Sequence, residues 1–474
     1  MKHVVIIMAD HLRYDVAKTH MPNVAALGGV TFDRCHCASP LCVPARGSFF
    51  TGLYPNETGS IINPWDERER VHGNVRTGIP NMYGLMGQDW DIWQVGKQHF
   101  LSEDDVFDNI TLTHNHLDYS NYLKENGKRH PGGPEFRQLV PEMLHGKTTR
   151  ARAYSKPHTG CYPEDEKFYY DNFFTEGCLE AIDKRDKTKP LLLNAMMLAP
   201  HPPFEVPEPW YSFAPRPEVL PENVGKWYPG QSPLQLYNLT GVVGSHYSRE
   251  KWYEPWRVYL GLVAMLDNCI GKIVTKLKEE NMYDNTLIII TSDHGDMLGA
   301  HSLFQKMCMY EESLVVPLVI KFPADYTPAR NFISDNVSAV DVLPTLCDYL
   351  GITLPKTVSG TSLMPAIDGG LFGDRDIFAQ FDGNGARGNF QRTIVNGRHK
   401  LIVDIFKDEI FLELYDVETD RLETENLALD EVFAPRVTEL LGRLKAHMKR
   451  TGDLLELPEN VYENFMHIAP LFIS

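Results

Sequence analysis

Four short polar clusters carry side chains that could do chemistry together. Asp10-His11 follows the apolar run Val4-Val5-Ile6-Ile7-Met8, and Lys97 with His99 follows Asp91–Val95. His201 follows Leu191–Met197, and Asp293-His294 follows Thr286–Thr291. One Asp-His pair after a strand is weak evidence, because caps and turns use the same residues. Four such ends together favour a shared site holding carboxylates, imidazoles and an ammonium. Asp10, His11, Asp293 and His294 form an oxygen and nitrogen donor set that suits a divalent cation: calcium, magnesium or manganese. The plainer alternative is that Asp10 and Asp293 cap the helices that follow them. A fifth cluster is Cys42-x-Pro44-x-Arg46 followed by Thr51-Gly52. Its plain alternative is a thiol buried at a helix start, with Arg46 one turn on.

These groups need elements that bring them to one place. Continuous apolar strands at Val4–Met8, Asp91–Val95, Leu191–Met197, Thr286–Thr291 and Val315–Ile320 alternate with helical patterns. That alternation predicts a large, mainly parallel sheet between helices. In an open α/β sheet, ligands bind at the carboxyl ends of the strands. The clearest helix spans Trp256–Lys278, with Tyr259, Leu262, Val263, Leu266, Ile270 and Ile273 on one face. Pro207–Pro255 is rich in proline and holds Trp210, Trp227 and Trp252, so it reads as an ordered excursion. It could rim a site or pack on the body. After about residue 370, strands at Gln391–Asp404 and Phe411–Tyr415 precede a helix at Pro435–Arg450. The division expected is an N-terminal domain over residues 1–370 and a smaller α+β domain with an antiparallel sheet over residues 371–474.

Composition narrows the partners. The chain has 474 residues and a net charge of −17 with neutral histidines. That balance argues against nucleic acid or an anionic membrane as partner. No run of 18 or more apolar residues occurs, and no signal-peptide pattern is visible, so a cytoplasmic enzyme is the expectation. The eight cysteines include no Cys-x-x-Cys pair, and Cys269 and Cys347 fall in apolar helical patterns as core thiols. His114-x-His116 reads as a solvated loop pair, and Arg150, Arg152, Lys156 and His158 as a solvated basic stretch. The tail Leu457–Ser474 is apolar enough to dock, which leaves a homo-oligomer open.

The segment Cys42-x-Pro44-x-Arg46 with Thr51-Gly52 resembles the signature of type I sulfatases, in the alkaline-phosphatase-like superfamily. Gly96-Lys97-Gln98-His99, His201-Pro202-Pro203-Phe204, and Ser292-Asp293-His294-Gly295-Asp296 with Lys306 are similar to further elements of that family. Asp10-His11 departs from its usual pair of aspartates, and His294 stands where asparagine is common. His294 and Asn63 resemble the choline-sulfatase and phosphonate monoester hydrolase branch instead.

The resemblance implies conversion of Cys42 to formylglycine by a formylglycine-generating enzyme. It also implies one divalent metal, calcium first, with manganese or magnesium as alternatives, on Asp10, His11, Asp293, His294 and residue 42. In that scheme Arg46, Lys97 and Lys306 bind sulfonate oxygens or hold the nucleophile. His201 is the general acid, His99 the base that releases sulfate, and Asn63 a donor to a sulfate oxygen. The expected reaction is hydrolysis of a small-molecule or carbohydrate sulfate ester. A phosphonate monoester or phosphodiester hydrolase, and an inactive metal- and anion-binding relative, are the competing expectations. The tryptophans of the excursion tilt the substrate towards a sugar.

Overall fold

The computed structural model describes residues 2–64, 67–144, 147–214, 217–384 and 388–469. Eight strands form the main sheet. In chain order they are β1 (His3–Asp10), β2 (Val30–His36), β3 (Asp91–Gly96), β4 (Thr111–Thr113), β5 (Leu191–Pro200), β6 (Thr286–Ser292), β7 (Val315–Lys321) and β8 (Phe332–Ser338). Their spatial order is β8-β2-β7-β6-β1-β5-β3-β4. A second sheet is an antiparallel meander of β9 (Asp376–Asp382), β10 (Asn389–Asn396), β11 (His399–Phe406) and β12 (Glu409–Asp416). The helices that matter below are α1 (Cys42–Thr51), α2 (His116–Glu125), α3 (Tyr170–Lys184), α4 (Tyr253–Glu279), α5 (Val342–Leu350) and α6 (Ala434–Thr451).

The expected strand ends converge. β6, β1, β5 and β3 are adjacent and mutually parallel, so their carboxyl ends share one edge. β1, β5 and β6 are buried along their whole lengths, as their unbroken apolar runs require. β7 is the exception to parallel order, pairing antiparallel with both β6 and β2. The reason is local: after β6 the chain stays along the edge where those carboxyl ends lie, and a one-turn helix at Glu311–Leu314 hands it back into the sheet from there.

α4 packs against α3 and β5, and its apolar face is core. The stretch Arg249–Glu279 is long and apolar enough to cross a membrane, yet 72% of its most apolar window is buried inside the protein. Cys269 and Cys347 are fully buried, on α4 and α5, as the sequence predicts. The excursion before α4 packs on the body through Trp252, which is fully buried, so its tryptophans carry no argument about the substrate.

The second sheet corrects another expectation. Gln391–Asp404 is not one strand but the facing arms of the β10–β11 hairpin, with Asn396 opposite His399. The two-residue loop is Gly397-Arg398, with Gly397 at φ +56° as a glycine-first tight hairpin requires. α6 covers this sheet through Val437, Leu440, Leu441 and Leu444.

The two sheets meet through buried polar groups. Lys400 Nζ lies 2.8 Å from Glu311 Oε1 and 2.5 Å from Glu423 Oε1, all fully or nearly fully buried. Tyr310 donates to Glu413 at 2.6 Å. Asp404 accepts from Ser232 Oγ at 2.7 Å and from Asn389 at 2.8 Å. Burial pushes the Asp404 carboxyl up to about 6, against the bonds from Ser232 and Asn389. A carboxyl raised on folding contributes stability that is present below its unfolded value and is lost as pH rises through 6. The fully ionised side chain then costs about 3 kcal/mol relative to the protonated one. Asp404→Asn should therefore flatten the fall in melting temperature of the native protein between pH 4 and 7, and an unchanged slope would refute the assignment.

Candidate functional site

Each reacting group is held by a local device. At the end of β1 the chain turns through His11, whose φ is +66°. A non-glycine residue there is costly and marks a constrained site. The turn is pinned by Tyr259 of α4, which donates to the His11 carbonyl at 2.8 Å and accepts from Arg13 N–H at 2.9 Å. Ser292 ties β6 to this turn, donating to His294 O at 2.8 Å, lying 3.2 Å from Ala9 O and accepting from Leu12 N–H at 3.1 Å.

Lys97 follows Gly96, whose φ is +88° and whose absent Cβ would stand 2.1 Å from the Met196 carbonyl. Only glycine lets β3 pass β5 that closely, and the Lys97 amide then donates to the same carbonyl at 2.8 Å. The end of β5, which delivers His201, is held by Asp171 of α3 accepting from Leu198 and Ala199 amides at 2.9 and 3.0 Å. Lys306 lies between Gln305 and Met307, both at positive φ.

Cys42 is the first residue of α1 and is 2% exposed. No side chain at the preceding position caps the helix; instead Asn63 Oδ1 accepts from Val43 N–H at 2.9 Å. Gly52 ends α1 at φ +69°, in close contact with Val358, which accounts for the Thr51-Gly52 pair.

Around the thiol, Cys42 Sγ lies 3.2 Å from His294 Nε2, 3.7 Å from Asp10 Oδ1 and 3.8 Å from Lys97 Nζ. Arg46 is fully buried one turn on. It donates to Asp293 at 3.0 Å, to Asp10 at 3.3 Å and to the Lys97 carbonyl at 3.1 Å. Lys97 Nζ also donates to Asp10. Lys306 Nζ donates to His11 Nε2 at 2.5 Å, while His11 Nδ1 donates to Asp296 at 2.6 Å.

The charges follow from these neighbours. Burial opposes ionisation of Asp10, but the charges of Lys97 and Arg46 hold it well below the carboxylate range. Burial and Asp10 push the Cys42 thiol up, and Lys306, Lys97 and His294 outweigh them, leaving it below the usual thiol value. Burial, followed by the nearby Lys97, holds His201 and His99 well below the usual histidine value, so both are neutral.

Ligand atoms of Asp10, Cys42, Asp293 and His294 lie within 4.8 Å of one another, all buried. His294 Nδ1 lies 3.0 Å from the Gly295 carbonyl, a contact that turns Nε2 towards the thiol. A carboxylate pair and an imidazole nitrogen that has shed its proton fit a divalent cation. His11 falls in a second group with Asp10 and His201, its ring 4.3 Å from that of His201.

A cleft opens over this centre. Cys42, Asn63, Lys97, His99, His201 and Lys306 all reach it, whereas Arg46, Asp10 and Asp293 lie beneath its floor. Arg46 thus contacts Asp10 and Asp293 and does not reach the cleft. Sequence reasoning missed His116, which also lines the cleft. It is no solvated partner of His114: burial, then Lys97, depress it to about 4. Arg152 of the basic stretch pairs with Glu69 at 3.3 Å, and the Arg150 side chain lies outside the described residues.

Comparison with known proteins now adds to this geometry. The family model described as "Sulfatase" matches residues 2–352, and "N-sulphoglucosamine sulphohydrolase, C-terminal" matches residues 299–450. The chain is 27% identical to the multifunctional alkaline phosphatase superfamily protein PehA of Trinickia caryophylli, over 92% of this chain and 93% of that one. It is 26% identical to the choline-sulfatase of Rhizobium meliloti, over 90% and 82%. The crystal structure of the phosphonate monoester hydrolase of Agrobacterium radiobacter superposes with a TM-score of 0.77 at 22% identity, over 95% of this chain and 96% of that one.

Proposed function

The chain belongs to the sulfatase family of sulfuric ester hydrolases, and on that premise we propose that it cleaves a sulfate monoester to an alcohol and inorganic sulfate at the edge carrying Cys42. The observation that carries this reading is the buried thiol at a helix start, 3.2 Å from His294 Nε2 and 3.7 Å from an Asp10 carboxylate oxygen. With Cys42 converted to formylglycine by a maturation enzyme, and a divalent cation on Asp10, Asp293 and His294 with His11 alongside, the site would supply a hydroxyl nucleophile of lowered pKa. The imidazole donors move the cation preference from calcium towards manganese.

The other roles belong to the chain's own side chains. Arg46 holds Asp10 and Asp293 in register. Lys97 and Lys306 face the cleft as ammonium groups and offset the charge of the sulfonate oxygens. Asn63 has its oxygen committed to Val43 N–H, so its amide NH₂ is the group left for a sulfate oxygen. His201 has Nδ1 committed to the Pro202 carbonyl at 2.5 Å, so Nε2 is its working nitrogen. An anionic ester beside it opposes the field of Lys97 and raises its pKa, so His201 takes up a proton as substrate binds. It passes that proton to the leaving oxygen. His99 has a buried Nδ1 with no hydrogen-bond partner among the described residues and is held neutral, as a base for releasing sulfate must be.

A second reading, hydrolysis of phosphonate monoesters or phosphodiesters, is favoured by His294 and Asn63 and by the likeness to PehA and the phosphonate monoester hydrolase. Comparing kcat/KM for 4-nitrophenyl sulfate and 4-nitrophenyl phenylphosphonate, on converted and metal-loaded protein, separates the two. The sulfate ester is expected to react faster, and the reverse order would favour the second reading.

A further inference from the structure

The cleft has an electrostatic character opposite to that of the chain. Against the net charge of −17, three cations line it and, among the described residues, no aspartate or glutamate does. Two of the cations are committed at the reaction centre: Lys97 to Asp10, and Lys306 to His11. The third, Arg137, lies further out. It starts a two-stranded ribbon of Arg137–Leu144 against Lys147–Ser155 and pairs in register with Ser155. Its side chain is exposed, and among the described residues no carboxylate meets its guanidinium. Tyr170 shares this wall, near enough for the charge of Arg137 to act on its hydroxyl. Burial raises that hydroxyl to about 12, so it remains a donor.

A guanidinium presents a planar fork of donors that matches an oxyanion. In so acidic a chain, surface arginines have many carboxylates available as partners, and this one faces the substrate space instead. The reaction centre already supplies cations for the sulfate. We propose that Arg137, with the Tyr170 hydroxyl beside it, binds a second oxyanion carried on the leaving-group side of the substrate, so that the preferred ester is dianionic. This rests on the sulfate-ester reading and narrows its substrate class.

The test uses 4-nitrophenyl sulfate with its ring-carboxylated and ring-sulfonated analogues, on wild-type protein and Arg137→Gln. Comparing each ester between the two proteins cancels differences in leaving-group reactivity. For the dianionic esters, kcat/KM should fall by roughly ten- to a hundredfold in the variant, mainly through KM, and much less for the monoanionic ester. Arg137→Lys should recover part of the loss. Whichever analogue shows the larger factor names the oxyanion. A variant that scales all three esters equally overturns the proposal. Calorimetric binding of the same esters to Cys42→Ala protein, with and without Arg137→Gln, needs no turnover. There, a charge-selective loss of binding supports Arg137 even if the reaction assigned above is wrong, and the absence of such a loss overturns it.

Discussion

Cys42→Ala is expected to lose turnover by about 10⁴-fold or more while the protein keeps its fold. The side chain is small, and its contacts are polar groups that converge on it from three elements: Asp10 on β1, Lys97 after β3 and His294 after β6. None of these depends on the sulfur for its own anchoring. Asp10 keeps Arg46 and Lys97, and His294 keeps the Gly295 carbonyl. The fold should therefore tolerate the loss, and melting temperature with circular dichroism checks this. A tryptic peptide from active wild-type protein should carry an aldehyde at residue 42 in place of the thiol. Full activity in the variant would sink the mechanism, and so would an active wild-type preparation with an unmodified thiol.

Arg46→Met should be the most destabilising substitution at the site. The guanidinium is fully buried and bridges Asp10 to Asp293 while also fixing the Lys97 carbonyl. Methionine fills much of the volume but leaves two buried carboxylates facing one another. Removing one partner of a buried ion pair costs about 3–5 kcal/mol. The effect should depend on divalent cation, because a cation between the same carboxylates replaces the lost charge. At a hundredfold excess over its dissociation constant, a bound cation returns about 2.7 kcal/mol. Urea unfolding with chelator and with manganese measures both quantities. A variant as stable as wild type in chelator would refute the charge accounting. A variant that manganese does not stabilise would place the cation elsewhere.

The centre of the site was legible because strand ends obey topology. Once β1, β3, β5 and β6 are read as parallel neighbours, Asp10, Lys97, His201 and Asp293 must share an edge. The apolar runs mark those strands plainly. What lay between them was not legible. Arg137, Tyr170 and His116 come from a ribbon and from two helix starts whose placement over the edge is set by tertiary packing, which leaves no period in the chain. His116 was misread because its neighbour in sequence, His114, suggested a pair, whereas the chain turns between them and only one ring faces the cleft. The aromatic content of Pro207–Pro255 left a rim and a packed loop both open, and Trp252 is core. The β10–β11 turn was readable from Gly397, but the surrounding apolar residues masked it as one long strand.

The Lys400–Glu311–Glu423 triad has a bearing on how this protein comes apart. Glu311 belongs to the chain that leaves the catalytic edge for β7, and Lys400 belongs to β11 of the second sheet. Pulling the sheets apart takes Glu311 from Lys400 and Tyr310 from Glu413, groups that water does not reach in the native state. A partly opened species with one sheet intact would carry Glu311 without its ammonium at the moment of separation. That cost couples the opening of one sheet to the opening of the other.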